Sequence, residues 1–158
     1  MRIALRAMAA ASASELFSWW TDYGPDDSVT NRYMMAQRNI LSRDGNTVTM
    51  EDTFTRPFKF VDRTVAHIIP PGRVEFESRS RIWNVRGTYT MTDEAGKARI
   101  DALIVLEPKG WWKIPLSLPP AKWRIRRAIE FDMQEHMRLF AEYIRSVGGE
   151  TDGAHKGH

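Results

Sequence analysis

The 158-residue chain contains no cysteine, which excludes disulfide scaffolds, cysteine nucleophiles, iron–sulfur clusters and cysteine-ligated zinc. No run approaches the ~18 apolar residues that a membrane-crossing helix requires. There is no Gly-x-Ser-x-Gly elbow, no glycine-rich phosphate loop and no dinucleotide fingerprint after a strand. Serine-hydrolase, kinase and dehydrogenase chemistry is therefore disfavoured. His67 and His136 stand outside any short ligand motif, so neither a metal nor a cofactor is expected. Net charge is only +3 despite a sequence pI near 9.4, too little to make nucleic acid the default partner. At the start, Arg6 interrupts the apolar stretch after Ile3, Ala4 and Leu5, leaving no signal-type hydrophobic region, and a cytoplasmic protein is expected.

What is present is an ordinary globular balance, 42% hydrophobic and 27% charged, with length enough to bury a core. Arg2 to Met8 alternates as a half-buried strand does. Ser12 or Ser14 then caps a helix carrying Leu16, Phe17, Trp19 and Trp20, which stops before Gly24-Pro25. A second helical piece is expected around Asp27 to Met35. From Ala36 the period becomes two. Strands are expected at Arg38–Arg43 and Asn46–Thr55, either side of Asp44-Gly45, and at Phe58–Ile69, Arg73–Trp83, Asn84–Thr92 and Lys97–Glu107. In Arg73–Trp83, Val74, Phe76, Ser78, Ser80 and Ile82 face one way and alternating charges the other. A long helix follows over Ala121–Val147, its apolar stripe running Ile125, Ile129, Met133, Met137, Phe140, Ile144 and Val147. Residues 1–147 are expected to form a single domain, and 148–158, which hold His155 and His158, a disordered tail.

Three groups of residues carry candidate chemistry. Asp52 shares a strand face with Val48, Met50 and Phe54, and Asp62 shares one with Phe58 and Phe60. If their strands form a hairpin, the two aspartates lie opposite each other, and like charges in a semi-apolar site raise one pKa to make an acid/base pair. Otherwise the register slips, or Arg38 and Arg63 neutralise them at the rim. Asp132 and His136 lie one helical turn apart, as a carboxylate orienting a general base does, and also as any pair bordering an amphipathic helix does. Lys109 to Ile129 holds Lys109, Lys113, Lys122, Arg124, Arg126 and Arg127 with no acidic residue, interleaved with Trp111, Trp112, Ile114, Leu116, Leu118 and Trp123. Cations beside indoles suit an anionic membrane surface or an amphiphile, with RNA a distant alternative; the same tryptophans would also serve as a plug in a protein core. Pro115, Pro119 and Pro120 are expected to keep this segment out of sheet and helix, and an extended segment would point Trp111 and Trp112 to opposite sides.

The alanine- and serine-rich junction after the first strand, the run ELFSWWTDY, the hairpin GTYTMTDEAGKARIDALIVLEP and the terminal helix resemble the START-like, birch-pollen-allergen-like (SRPBCC, helix-grip) superfamily. The likeness is strongest to its polyketide cyclase/dehydrase and lipid-transport branch and covers about residues 2–147. The resemblance implies an α+β helix-grip fold: a curved antiparallel sheet of seven strands around a long C-terminal helix, with one or two short helices after the first strand. It implies a central apolar cavity, with Val74, Phe76, Ile82, Trp83, Tyr89, Met133 and Met137 on its wall and Trp111 and Trp112 at its mouth. Each of these residues also fits an ordinary core position, and Ile82 and Trp83 cannot both face inward without a bulge. Binding of a hydrophobic or amphipathic small molecule or lipid is the implied function. The alternatives are a cyclase/dehydrase-type enzyme, in which Asp132, His136 or the aspartate pair moves protons, and an interaction module like the Hsp90-activating relatives of this fold.

Overall fold

A computed structural model describes the backbone of residues 1–23, 35–55 and 59–153 and the side chains of 1–23, 37–55 and 59–147. The elements are β1 (Arg2–Ala9), α1 (Ala13–Trp20), β2 (Met35–Asp44), β3 (Thr47–Phe54), β4 (Phe60–Ile69), β5 (Arg73–Arg79), β6 (Trp83–Glu94) and β7 (Lys97–Pro108). A 3₁₀ turn (Gly110–Trp112), α2 (Lys113–Ser117) and α3 (Pro119–Gly153) complete the chain. The strands form one antiparallel seven-stranded sheet in the order β1-β7-β6-β5-β4-β3-β2. Because β1 pairs with the last strand while β2 closes the far edge, the chain crosses the whole sheet between them, and α1 lies on that crossing.

Local chemistry sets these elements. Ser12 caps α1 in a reciprocal box: its hydroxyl accepts from the Glu15 N–H, and the Glu15 carboxylate accepts from the Ser12 N–H at 2.8 Å. The Ala13 N–H donates to Asp93 at 2.8 Å, tying the start of α1 to the tip of the β6–β7 hairpin. That hairpin turns on Ala95 and Gly96, both at positive φ, as a two-residue turn matched to strand twist requires. Irregularities in the β2–β3 register between Met35 and Gln37 and between Ile40 and Ser42 add twist at the far edge. Gly87 stands opposite Phe76, and a Cβ there would lie 2.6 Å from the ring, so only glycine lets Phe76 lie flat on β6.

The structure departs from expectation in several places. Arg73–Trp83 is not one strand: β5 ends at Arg79, where the Ser80 hydroxyl accepts from the Ile82 and Trp83 N–H groups and turns the chain. That break removes the conflict between Ile82 and Trp83, because Ile82 is buried within the bend and Trp83 starts a new strand. The segment after Lys109 is helical rather than extended, and Trp111 and Trp112 stack on each other at 4.0 Å instead of pointing apart. Pro119 and Pro120 sit in the first turn of α3, where a missing N–H costs nothing, so they start the helix rather than exclude the segment from it. The α3 backbone also continues past Val147 to Gly153. The helical piece expected around Asp27 falls on 24–34, outside the described residues, and Met35 opens β2.

The dry core lies where α1 and α3 cover the β1-β7-β6 side. Leu16, Ile100, Met91, Met133 and Phe140 are buried together there, and α3 packs chiefly over β1. Ile3, Ile104 and Leu106 extend it toward Ile125 and Ile129. Farther along the sheet, Val48, Met50, Ala66 and Val74 form a second buried group under Phe17 and Trp20.

Candidate functional site

Direct cross-strand partners share a face, so the register identifies the inner surface. Trp83, Val85, Gly87 and Tyr89 on β6 face inward with Val74, Phe76 and Ser78 on β5, and with Asp62 and Thr64 on β4 and Asp52 and Phe54 on β3. The opposite parity carries Arg73, Glu75, Glu77 and Arg79 outward, joined in exposed pairs. An open groove of about 340 Å³, bordered by Ala4, Thr88, Thr90, Leu103, Arg73 and Asp101, is on this outer side, away from the helices.

On the inner face an aromatic belt links four elements. Trp20 from α1 packs on Tyr89 at 4.9 Å, Tyr89 stacks on Phe76 at 5.3 Å, and His136 from α3 sits 5.3 Å from the Trp20 ring. Phe76, Trp83, Tyr89 and Met137 are only half-buried although they face inward, whereas Met133 is buried. Burial, reinforced by the Asp132 charge, pushes the Tyr89 hydroxyl well above its ordinary pKa and keeps it protonated. Deep placement with surface still open is the geometry of a side chain on the wall of a recess.

Asp132 and His136 meet across one turn of α3 through two contacts. The His136 Nδ1–H donates to the Asp132 main-chain carbonyl at 2.8 Å, and the Asp132 carboxylate is 3.7 Å from the same nitrogen. A carbonyl can only accept, so this contact assigns the proton to Nδ1 and leaves Nε2 as the acceptor of the neutral ring.

The polar part of the inner face lies on β3, β4 and β5. Asp52 and Asp62 are direct partners across the β3–β4 ladder, only 5% and 6% exposed. Their environments differ. Arg38 on β2 grips Asp52 with both prongs, Nε to Oδ1 at 2.8 Å and Nη2 to Oδ2 at 2.9 Å. Asp62 has no ion pair among the described residues; the Trp83 indole N–H donates to its Oδ2 at 3.4 Å. Burial raises the Asp62 pKa, opposed by the nearby hydroxyls of Ser80 and Ser78 and by the indole, and the Asp52 charge adds to the rise. Those hydroxyls lie near the carboxylate without bonding it well: Asp62 Oδ1 and Ser78 Oγ are buried with no hydrogen-bond partner. Phe54 stacks on Phe60 at 4.8 Å, and Phe60 meets Trp83 edge-on at 5.5 Å, framing this end with rings.

Solved structures of other proteins share the fold, three of them as follows. TTHA0849 from Thermus thermophilus superposes with a TM-score of 0.78 at 10% identity, covering 90% of this chain and 99% of that one. The ZhuI aromatase/cyclase from Streptomyces sp. R1128 gives 0.72 at 9% identity, over 90% of this chain and 92% of its own. A START superfamily protein from Mycobacterium smegmatis gives 0.66 at 11% identity, over 92% and 98%. The chain has the helix-grip fold. No family model matches it, and no curated protein does.

Within the helix grip, the other sequence-selected residues take up scattered positions. Trp83 is on the inner face, Ile82 is buried in the bend beside it, and Met133 belongs to the dry core. Trp111 is 67% exposed, and Trp112 is half-buried beneath it. Sequence reasoning does not single out Ser78 and Ser80 as site residues. The available signal is a serine at an inward position of an otherwise apolar strand face. Trp19 and Trp20 read from the sequence only as helix residues, because their approach to His136 joins α1 to α3 across more than a hundred residues of chain. Among the described residues no three side chains could share a metal ion, and no helix is long and apolar enough to cross a membrane.

Proposed function

We propose that this protein binds a hydrophobic or amphipathic small molecule against the concave face of its sheet, for sequestration or transfer. One observation carries the reading. Phe76, Trp83 and Tyr89 face inward yet keep open surface, and the row they form ends at a buried carboxyl and a buried hydroxyl without partners. A core that served only stability would have covered the rings and omitted the orphan oxygens, since each buried unsatisfied group costs about 1–3 kcal/mol. The likeness to an aromatase/cyclase and to a START superfamily protein supports the same reading at the level of the fold. Native mass spectrometry of gently purified protein tests it. The expected result is an added mass of small-molecule size that organic extraction releases; a bare chain, with no uptake of any offered amphiphile, would end the proposal.

The segment around α2 supports a second element of this function, delivery at an anionic membrane. Trp111, Ile114, Leu118 and Trp123 are 67%, 74%, 54% and 62% exposed, an unusual run of large apolar side chains in water. Lys113, Lys122 and Arg124 beside them make no ion pair among the described residues, while Arg126 and Arg127 turn to Glu130. Cations near a charged surface contribute about 1 kcal/mol each, and exposed indoles suit the interface. Sedimentation with anionic and neutral liposomes should show binding to the anionic ones only, weakened by salt and by Lys113→Glu or Trp111→Ala. Equal retention by both lipid types, or none, would remove the membrane from the function.

A further inference from the structure

The partner that Asp62 lacks indicates what the ligand must bring. Among the described residues, one guanidinium, Arg38, and two carboxyls, Asp52 and Asp62, meet at this end of the concave face. The Nε and Nη2 of Arg38 are both directed to the two oxygens of Asp52. Asp62, directly opposite in the register and 6% exposed, is left as an acceptor without a cation among the described residues. Its Oδ1 and the Ser78 hydroxyl, itself on a 6% exposed residue, make no hydrogen bond. Arg63 and Arg79, near in sequence, pair with each other's positions on the outward parity and cannot reach inward.

We propose that Asp62 and Ser78 form a subsite for the protonated amine of an amphipathic ligand, with the rings of Phe54, Phe60 and Trp83 around it. The inference rests on the ligand-binding reading above and specifies its polar end. An ammonium supplies what the site is short of: a positive charge for Asp62 and several N–H donors for Asp62 Oδ1 and Ser78 Oγ. Phe60 and Trp83, 5.5 Å apart and edge-on, offer a ring face to the same cation, an attraction that strengthens where water is excluded. A carboxylate headgroup meets the opposite situation, because the uncompensated charge repels it and Arg38 is already occupied. A neutral hydroxyl can donate to Asp62 and accept from Ser78, but it brings no charge. The expected order of preference is therefore amine, alcohol, carboxylate on one apolar body.

Isothermal titration of the full chain at neutral pH with naphthylmethylamine, naphthylmethanol and naphthoate tests this. Naphthylmethylamine should bind about tenfold tighter than naphthylmethanol, and naphthoate weakest of the three. Asp62→Asn should bring the amine to within about twofold of the alcohol while leaving alcohol binding nearly unchanged. Ser78→Ala should weaken the amine by a smaller factor and guards against misfolding of the aspartate variant. If the alcohol binds and the amine gains nothing, or if Asp62→Asn keeps the amine preference, the subsite is refuted while ligand binding stands. If none of the three binds, both readings fall.

Discussion

The two ends of the concave face are built on opposite terms. Where β1, β7 and β6 meet α1 and α3, the inward positions are Ile3, Ile100, Met91 and Ala102, capped by Leu16, Met133 and Phe140, with no buried charge. Where β3, β4 and β5 meet, the same parity brings in Asp52, Asp62, Ser78 and Thr64. Among the described residues α3 packs mainly over β1, while at the second end Phe17 and Trp20 of α1 lie over the buried Val48, Met50, Ala66 and Val74 next to these polar positions. One end holds the fold together through close packing. The other accepts charge at a stability cost, the pattern expected of a site rather than of a core.

Truncation should hurt the dry end most. Phe140, 1% exposed, is the largest fully buried side chain among the described residues, and Phe140→Ala should cost about 3–5 kcal/mol in urea unfolding without altering ligand preference. A loss under about 1 kcal/mol would mean that α3 contributes little to the core. The polar end comes next. Arg38→Met strands the Asp52 carboxylate, 7% exposed at its side chain, and should cost about 3 kcal/mol, whereas adding Asp52→Leu should recover most of it. Failure of the double variant to recover would show that Arg38 acts through contacts other than this ion pair.

The smallest effect concerns the asymmetry between the two aspartates. The Asp62 pKa is raised in the folded protein, mainly by burial, so the native state holds its proton at pH values where the unfolded chain has released it. Native protein then binds more protons, and stability falls as pH rises from about 4, the ordinary carboxyl value, through the folded pKa. Asp62→Asn should therefore stabilise the protein at neutral pH by less than about 2 kcal/mol, with the gain vanishing below pH ~4. Unfolding curves at a series of pH values read this directly. A gain that persisted unchanged into acid would mean that the charge of Asp62 is not what the site strains against.

Most of the fold was legible in the residues. The alternation of β5, the Asp44-Gly45 and Ala95-Gly96 turns, a serine cap at Ser12 or Ser14 and the stripe of α3 are local signals, each set by a period or by one side chain meeting its own backbone. They were enough to order the elements and to put Asp52 and Asp62 on inward parities. They misplaced the end of β5, because the Ser80 hydroxyl stops the strand by a bond that no period records. They also misread the prolines near α3, which break a helix interior but suit a helix start.

The tertiary structure alone decided which aspartate is satisfied. Both stand on the same face of one hairpin, and the cation next to Asp62 in sequence, Arg63, is on the opposite face. Arg38 comes from the next strand over and reaches only Asp52, while Trp83 and Ser78, arriving from β6 and β5, surround Asp62 without neutralising it. A charge pair depends on distances of a few ångströms between segments far apart in the chain, and those distances are fixed by register and curvature, not by composition.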